Sequence, residues 1–111
     1  MGQLSDKHCK PCEGGAEPIA ADRAGILLQQ VPGWAVCDQG TGISKRFSFK
    51  QFNRTMAFVN GLAWVAIRQG HHPDIRAGYD YCTVKFTTHA IGGLSENDFI
   101  CASRVNALLE K

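Results

Sequence analysis

The chain has no apolar run approaching the roughly 20 residues a membrane-spanning helix needs, so no membrane partner is expected. Charge of one sign is also missing. Twelve Lys and Arg against ten Asp and Glu leave a net charge of +2, too small to argue for a nucleic-acid or membrane-surface binder. The N-terminus lacks the basic start and apolar block of a secretory signal. Asp6 stands where a myristoylation motif wants Ser or Thr. A cytoplasmic protein is the expectation. Five cysteines, an odd number without secretory context, do not make a disulfide framework. Phosphate-loop signatures are absent, and no Ser or Cys sits in a recognisable nucleophile elbow.

What is present is a small globular domain. With 111 residues, 44% hydrophobic and 20% charged, the chain can bury one ordinary core and not two. Residues 1–18 read as a flexible polar arm, since Pro11, Gly14, Gly15 and Pro18 discourage a regular element. Residues 19–111 read as the single domain. A first helix is predicted over about Ala20 to Gln30, stopped by Pro32-Gly33. Strands are predicted over Trp34 to Cys37 and Ile43 to Phe49, in the second of which Phe47 and Phe49 share a face. The longest helix should run from about Phe49 to Gln69, with Ser48 and Gln51 as a capping box. It carries two apolar stripes, Phe52, Met56, Val59, Ala63 and Ala66 beside Phe58, Leu62 and Val65. That width suits a central core element that is also partly buried in an oligomer. A hairpin over Ile75 to Tyr79 and Cys82 to Thr88 and a last helix from Ser95 to about Leu109 complete the chain. Helix, two strands, helix, two strands, helix is an α+β pattern with an antiparallel sheet.

Chemistry concentrates between Gly70 and Asp98, where three of the four histidines lie. Gly70 sits where a helix-terminating glycine belongs, and Pro73 forbids continuation, so His71 and His72 are held between the two. His89, if the preceding strand reaches it, falls on the polar face with Lys85 and Thr87. Such a cluster of side chains with pKa near neutrality suits acid–base catalysis on a small molecule. A metal site using His71 or His72, His89 and a carboxylate from Asp74 or Asp98 ranks second, because no metal-ligand spacing repeats. A purely structural role ranks third. Asp98 suits capping of the last helix. Cys9 and Cys12 form half a zinc or redox motif, for which His8 offers a third ligand. Cys37, Cys82 and Cys101 read as small core residues.

The segments His71-His72-Pro73, Tyr79, Thr88-His89 and Leu94-Ser95-Glu96-Asn97-Asp98 together resemble the signature of the pterin-4a-carbinolamine dehydratases. Gly33-Trp34 and Phe47-Ser48-Phe49-Lys50-Gln51-Phe52-Asn53-Arg54 resemble that family's first-strand start and strand-to-helix junction, so the likeness runs from about Ala20 to the C-terminus. The resemblance implies a four-stranded antiparallel sheet with three helices on one face, in the order α-β-β-α-β-β-α, and a homodimer or homotetramer. It implies dehydration of 4a-hydroxytetrahydropterin to quinonoid dihydropterin, in recycling of the cofactor of aromatic amino-acid hydroxylases, with no metal and no organic cofactor. Some animal members of the family also serve as dimerisation cofactors of a homeodomain transcription factor. Carried over by position, His71, His72 and His89 would be catalytic. Gly70, Pro73, Thr87, Thr88, Ala90 and Trp34 would join them in binding the pterin, with Asp98 in support. One departure is Ile67, where many members carry an acidic residue. It favours, to a small degree, the alternative of a non-catalytic dimerisation or assembly module on the same fold.

Overall fold

A computed structural model describes residues 4–10 and 17–109. The first helix, α1 (Ala21–Leu28), buries Ala24 and Leu27 and gives way to a turn ahead of Pro32-Gly33. Four strands follow in two pairs: β1 (Ala35–Cys37) and β2 (Gly42–Ser48), then β3 (Asp74–Ala77) and β4 (Tyr81–Phe86). Between the pairs runs the long helix α2 (Phe52–Gln69), and α3 (Glu96–Ala107) closes the chain. The strands form one antiparallel sheet in the order β1-β2-β4-β3, so the two hairpins join through their second strands. The α+β class and the three-helix, four-strand composition are therefore as the sequence implies.

Alternation decides which face of the sheet is covered. Ile43 and Phe47 on β2 lie opposite Phe86 and Cys82 on β4, and all four are buried. Their neighbours Ser44, Arg46, Thr83 and Lys85 point to the other face. Onto the apolar face pack Phe58, Leu62 and Val65 of α2 and Phe99, Ile100, Ala102 and Val105 of α3. A run of aromatic contacts ties the layers together: Trp34 to Phe47 and Phe86, then Phe47 to Phe58, with centroids 4.5–6.1 Å apart. Of the two stripes on α2, Phe58-Leu62-Val65 is the core stripe. The other is peripheral, with Phe52 exposed and joined on the surface by Trp64 and Ile67.

Three local expectations need correction. α2 begins at Phe52 rather than Phe49, with Gln51 as N-cap and no side-chain capping bond, while Ser48 ends β2. The Phe49 N–H donates to Asp80 O (2.8 Å), which holds Phe49 in the sheet-side connection, and Thr55 locks the first turn of α2 through Oγ1 to Tyr79 O (2.9 Å). β3 ends at Ala77, short of Tyr79. β4 ends at Phe86, and His89 opens a short 3-10 turn, His89–Ile91, so it does not share a strand face with Lys85. The cause is the Thr88–Gly93 bridge, in which both backbone N–H groups donate across the loop (3.0 and 3.4 Å) and fold it back on itself.

The described part of the N-terminal arm lies along α3. Leu4 is buried in the core, the Arg104 guanidinium donates to Lys7 O (2.6 and 3.0 Å), and Lys7 pairs with Glu96 at the surface. Among the described residues no helix is long and apolar enough to cross a membrane.

Candidate active site

At the C-terminus of α2 the chain must reverse, and Gly70 does this at φ +64, a left-handed conformation that costs glycine little. The N–H of His71 donates to Ala66 O (3.1 Å) and that of Gly70 to Ile67 O (3.3 Å), the paired bonds of a Schellman stop. This places His71 against the end of β4, where its ring stacks on Phe86 (centroids 5.8 Å, 10° between planes).

From the other side comes Asp98, three residues into α3 and fully buried. Its Oδ1 lies 2.6 Å from His71 Nε2. Its Oδ2 accepts from the Ser95 N–H (2.9 Å) and from Thr88 Oγ1 (2.8 Å). Thr88 Oγ1 in turn lies 2.7 Å from Ser95 Oγ, the geometry of a hydroxyl relay into the carboxylate. Capping and histidine support, alternatives on the sequence, are performed by the same carboxylate, one oxygen each. Burial works against a proton on His71, but the hydrogen bond and charge of Asp98, with help from Cys9, outweigh it and hold the imidazole above its usual 6.5.

His72 and His89 are both exposed and face each other with ring centroids 6.5 Å apart. With His71 they ring a cleft of about 460 Å³ whose wall also includes Gly70, Thr87, Thr88 and Ala90. A volume of this order suits a bicyclic small molecule. Two expected residues are elsewhere. Trp34 is a core residue: its indole packs on Phe47 and Phe86, and Nε1 donates to Asn106 Oδ1 (2.9 Å). Pro73 is half-buried at the entry to β3 and is not part of the cleft wall. Four wall residues were not foreseen: Cys9, Lys10, Gln69 and Asn97. Gln69 Oε1 accepts from the Cys9 N–H (2.8 Å), and Asn97 exchanges bonds with the Lys10 backbone. Cys9 and Lys10 stood in the Cys9–Cys12 motif and Asn97 in the Leu94–Asp98 signature, each without a cleft role, and nothing in the sequence singled out Gln69. Cys12 lies outside the described residues. Among the described residues, no group of three or more His, Cys, Asp or Glu side chains could hold a metal ion.

Residues 17–108 match the sequence profile of the pterin 4 alpha carbinolamine dehydratases. The chain belongs to that family. It is 55% identical over 108 residues to a relative from Nitrosomonas europaea, covering 96% of this chain and 94% of the relative. A Stenotrophomonas maltophilia relative is 47% identical over 108 residues, covering 97% and 93%. Both carry the provisional name pterin-4-alpha-carbinolamine dehydratase. Among solved structures, a transcriptional coactivator/pterin dehydratase from Brucella melitensis superposes with a TM-score of 0.79 at 27% identity, over 83% of this chain and 98% of that one. A pterin dehydratase-like protein identified as a RuBisCO assembly factor in the alpha-carboxysome gives 0.63 at 29% identity, over 71% and 92%. A protein described as pterin dehydratase-like is thus named for an assembly role.

Proposed function

We propose that the chain dehydrates 4a-hydroxytetrahydropterin to quinonoid dihydropterin and water by histidine acid–base catalysis, within pterin recycling. One observation carries this reading: three histidines ring a single cleft, and the innermost is paired to a fully buried carboxylate. Loss of the 4a-hydroxyl needs a proton delivered to that oxygen and a proton taken from ring nitrogen N5. In this reading His71 is the acid. Asp98 keeps it protonated through one ring nitrogen, so that the proton on the other is available to the leaving hydroxyl. His89, exposed on the cleft wall, takes the N5 proton. His72, across the mouth of the cleft from it, orients the pterin ring.

The active unit in this proposal is a homodimer or homotetramer. Phe52 and Tyr79 stack on each other while exposed (centroids 6.3 Å). With Trp64 and Ile67 they give the α2 side more apolar surface than a monomer needs to show. A second reading draws on the same side of the molecule: Ile67 is 79% exposed, where many family members carry an acidic residue. A non-catalytic assembly module would use that surface and leave the cleft idle. His71→Ala and His89→Ala separate the readings. The dehydratase reading expects each folded variant to lose activity on the order of 10²-fold. Variants that match wild type would hand the argument to the assembly module.

A further inference from the structure

The N-terminal arm brings one sulfur almost onto another. Cys9 Sγ lies 3.4 Å from Cys101 Sγ, across 92 residues of sequence. Cys101 is wholly buried within α3, whereas Cys9 is half-buried and forms part of the cleft wall beside His71. The approach is held from several sides. The Cys9 N–H is fixed by Gln69, Cys9 Sγ is 3.6 Å from Asn97 O, and the neighbouring Lys10 N–H is fixed by Asn97 Oδ1 (3.0 Å). A sulfur–sulfur bond is about 2.05 Å long, so closure by about 1.4 Å joins the pair. The arm meets the domain through a short 3-10 turn at Leu4–Asp6, with Leu4 in the core, and through side-chain to main-chain bonds at Lys7, Cys9 and Lys10. Bond formation requires a shift of that size between Cys9 and Cys101.

We propose that Cys9 and Cys101 are a redox pair, which a peroxide-class oxidant entering the cleft converts to a disulfide fastening the N-terminal arm to α3. Cys9 is the attacking thiol. Its thiolate takes the terminal peroxide oxygen, the O–O bond breaks, and protonation of the leaving oxygen gives water and a Cys9 sulfenic acid. Cys101 sulfur then attacks Cys9 sulfur, the S–O bond breaks, and the Cys101 proton leaves with the hydroxide as a second water. Two thiols have lost two electrons, and one peroxide has become two waters.

The electrostatics support this division of roles. The Cys101 S–H donated to Cys9 lowers the Cys9 pKa, against the effect of burial and with help from the His71 charge. The same contact, seen from Cys101, combines with burial to push the Cys101 thiol up. The accessible sulfur is the better thiolate and the buried one the resolving thiol. The disulfide would fix Cys9 and Lys10 as a rigid wall next to His71 and remove a thiol from the cleft.

The test is peptide mapping of the full reduced chain before and after hydrogen peroxide. The expected product is a Cys9–Cys101 cross-link, lighter by about 2 Da for the two hydrogens lost and reversed by a dithiol reductant. Cys12→Ser keeps the link. Cys101→Ala stops the reaction at a Cys9 sulfenic acid that dimedone labels. Should Cys101→Ala fail to fold, Cys9→Ser leaves α3 intact and is expected to show no disulfide at Cys101. A Cys9–Cys12 bond in the wild type, a link between chains, or a Cys101 disulfide persisting in Cys9→Ser would each overturn the pairing.

Discussion

Replacing Asp98 with Asn tests the site at its most buried point. The Asn carbonyl oxygen can occupy the place of Oδ2 and keep the bonds from Ser95 N–H and Thr88 Oγ1. Its amide nitrogen then faces His71 Nε2 and donates to it, which demands the neutral imidazole. The cap survives and the charge does not. A hydrogen bond to a charged group contributes about 1.5–3 kcal/mol and a neutral one about 0.5–1.5, so protonated His71 loses about 1–2 kcal/mol of support. If the acid must be protonated to act, that is about 5–30-fold in kcat. The loss should be smaller than for His71→Ala, which removes the acid altogether. Stopped-flow dehydration of in situ generated 4a-hydroxytetrahydropterin reads both. The limb of the rate profile that falls as pH rises should move to lower pH in Asp98→Asn. Stability should follow the same proton. Because His71 holds its proton more tightly in the folded chain, the Asp98 contact adds stability below the unfolded histidine pKa of about 6.5. That increment is lost as pH rises through the higher folded value. The melting gap between wild type and Asp98→Asn should therefore narrow on the alkaline side. A variant with wild-type kcat and an unmoved profile would show Asp98 to be a helix cap and nothing more.

His72→Ala should raise KM by more than it lowers kcat, since His72 is assigned to orienting the ring rather than moving a proton; equal loss in kcat at saturating pterin would refute that assignment. Gly70→Ala places a Cβ at φ +64 with nothing to clash against, so the cost is conformational, about 1 kcal/mol. For a domain of this size that lowers Tm by about 4–8 °C in a thermal melt. Leu62→Ala, at a fully buried position facing the sheet, should cost about 2–5 kcal/mol in denaturant unfolding. A cost below about 1 kcal/mol would contradict the packing described for α2.

The repeating elements were legible because their periods are local. Alternation marked Cys82, Val84 and Phe86 as one face of β4, and the 3.6-residue stripe marked Phe58, Leu62 and Val65. What failed depended on partners distant in sequence. Ser48 and Gln51 make a plausible capping box until Phe49 is seen bonded to Asp80. His89 looked like a strand residue because nothing nearby announces the Thr88–Gly93 bridge. Trp34 carried a family likeness and an aromatic ring suited to a pterin, yet Phe47 and Phe86 claim it for the core. At the site, the glycine and proline around His71-His72 were readable as local backbone chemistry. The partnership of His71 with Asp98 spans 27 residues and three elements, so the sequence offered histidine support and helix capping as alternatives without showing that one carboxylate does both. The arm contacts were least visible of all, because Cys9 is separated from Gln69 by 60 residues and from Asn97 by 88.

The measurement closest to the central claim is the rate at which wild-type protein converts 4a-hydroxytetrahydropterin, set against the same solution without protein. Acid–base catalysis in this cleft predicts conversion at least about 10²-fold above the uncatalysed rate at saturating pterin, with quinonoid dihydropterin as the product. A rate indistinguishable from the protein-free reaction would contradict the account, and the exposed Trp64–Ile67 surface would become the place to look for what the protein does.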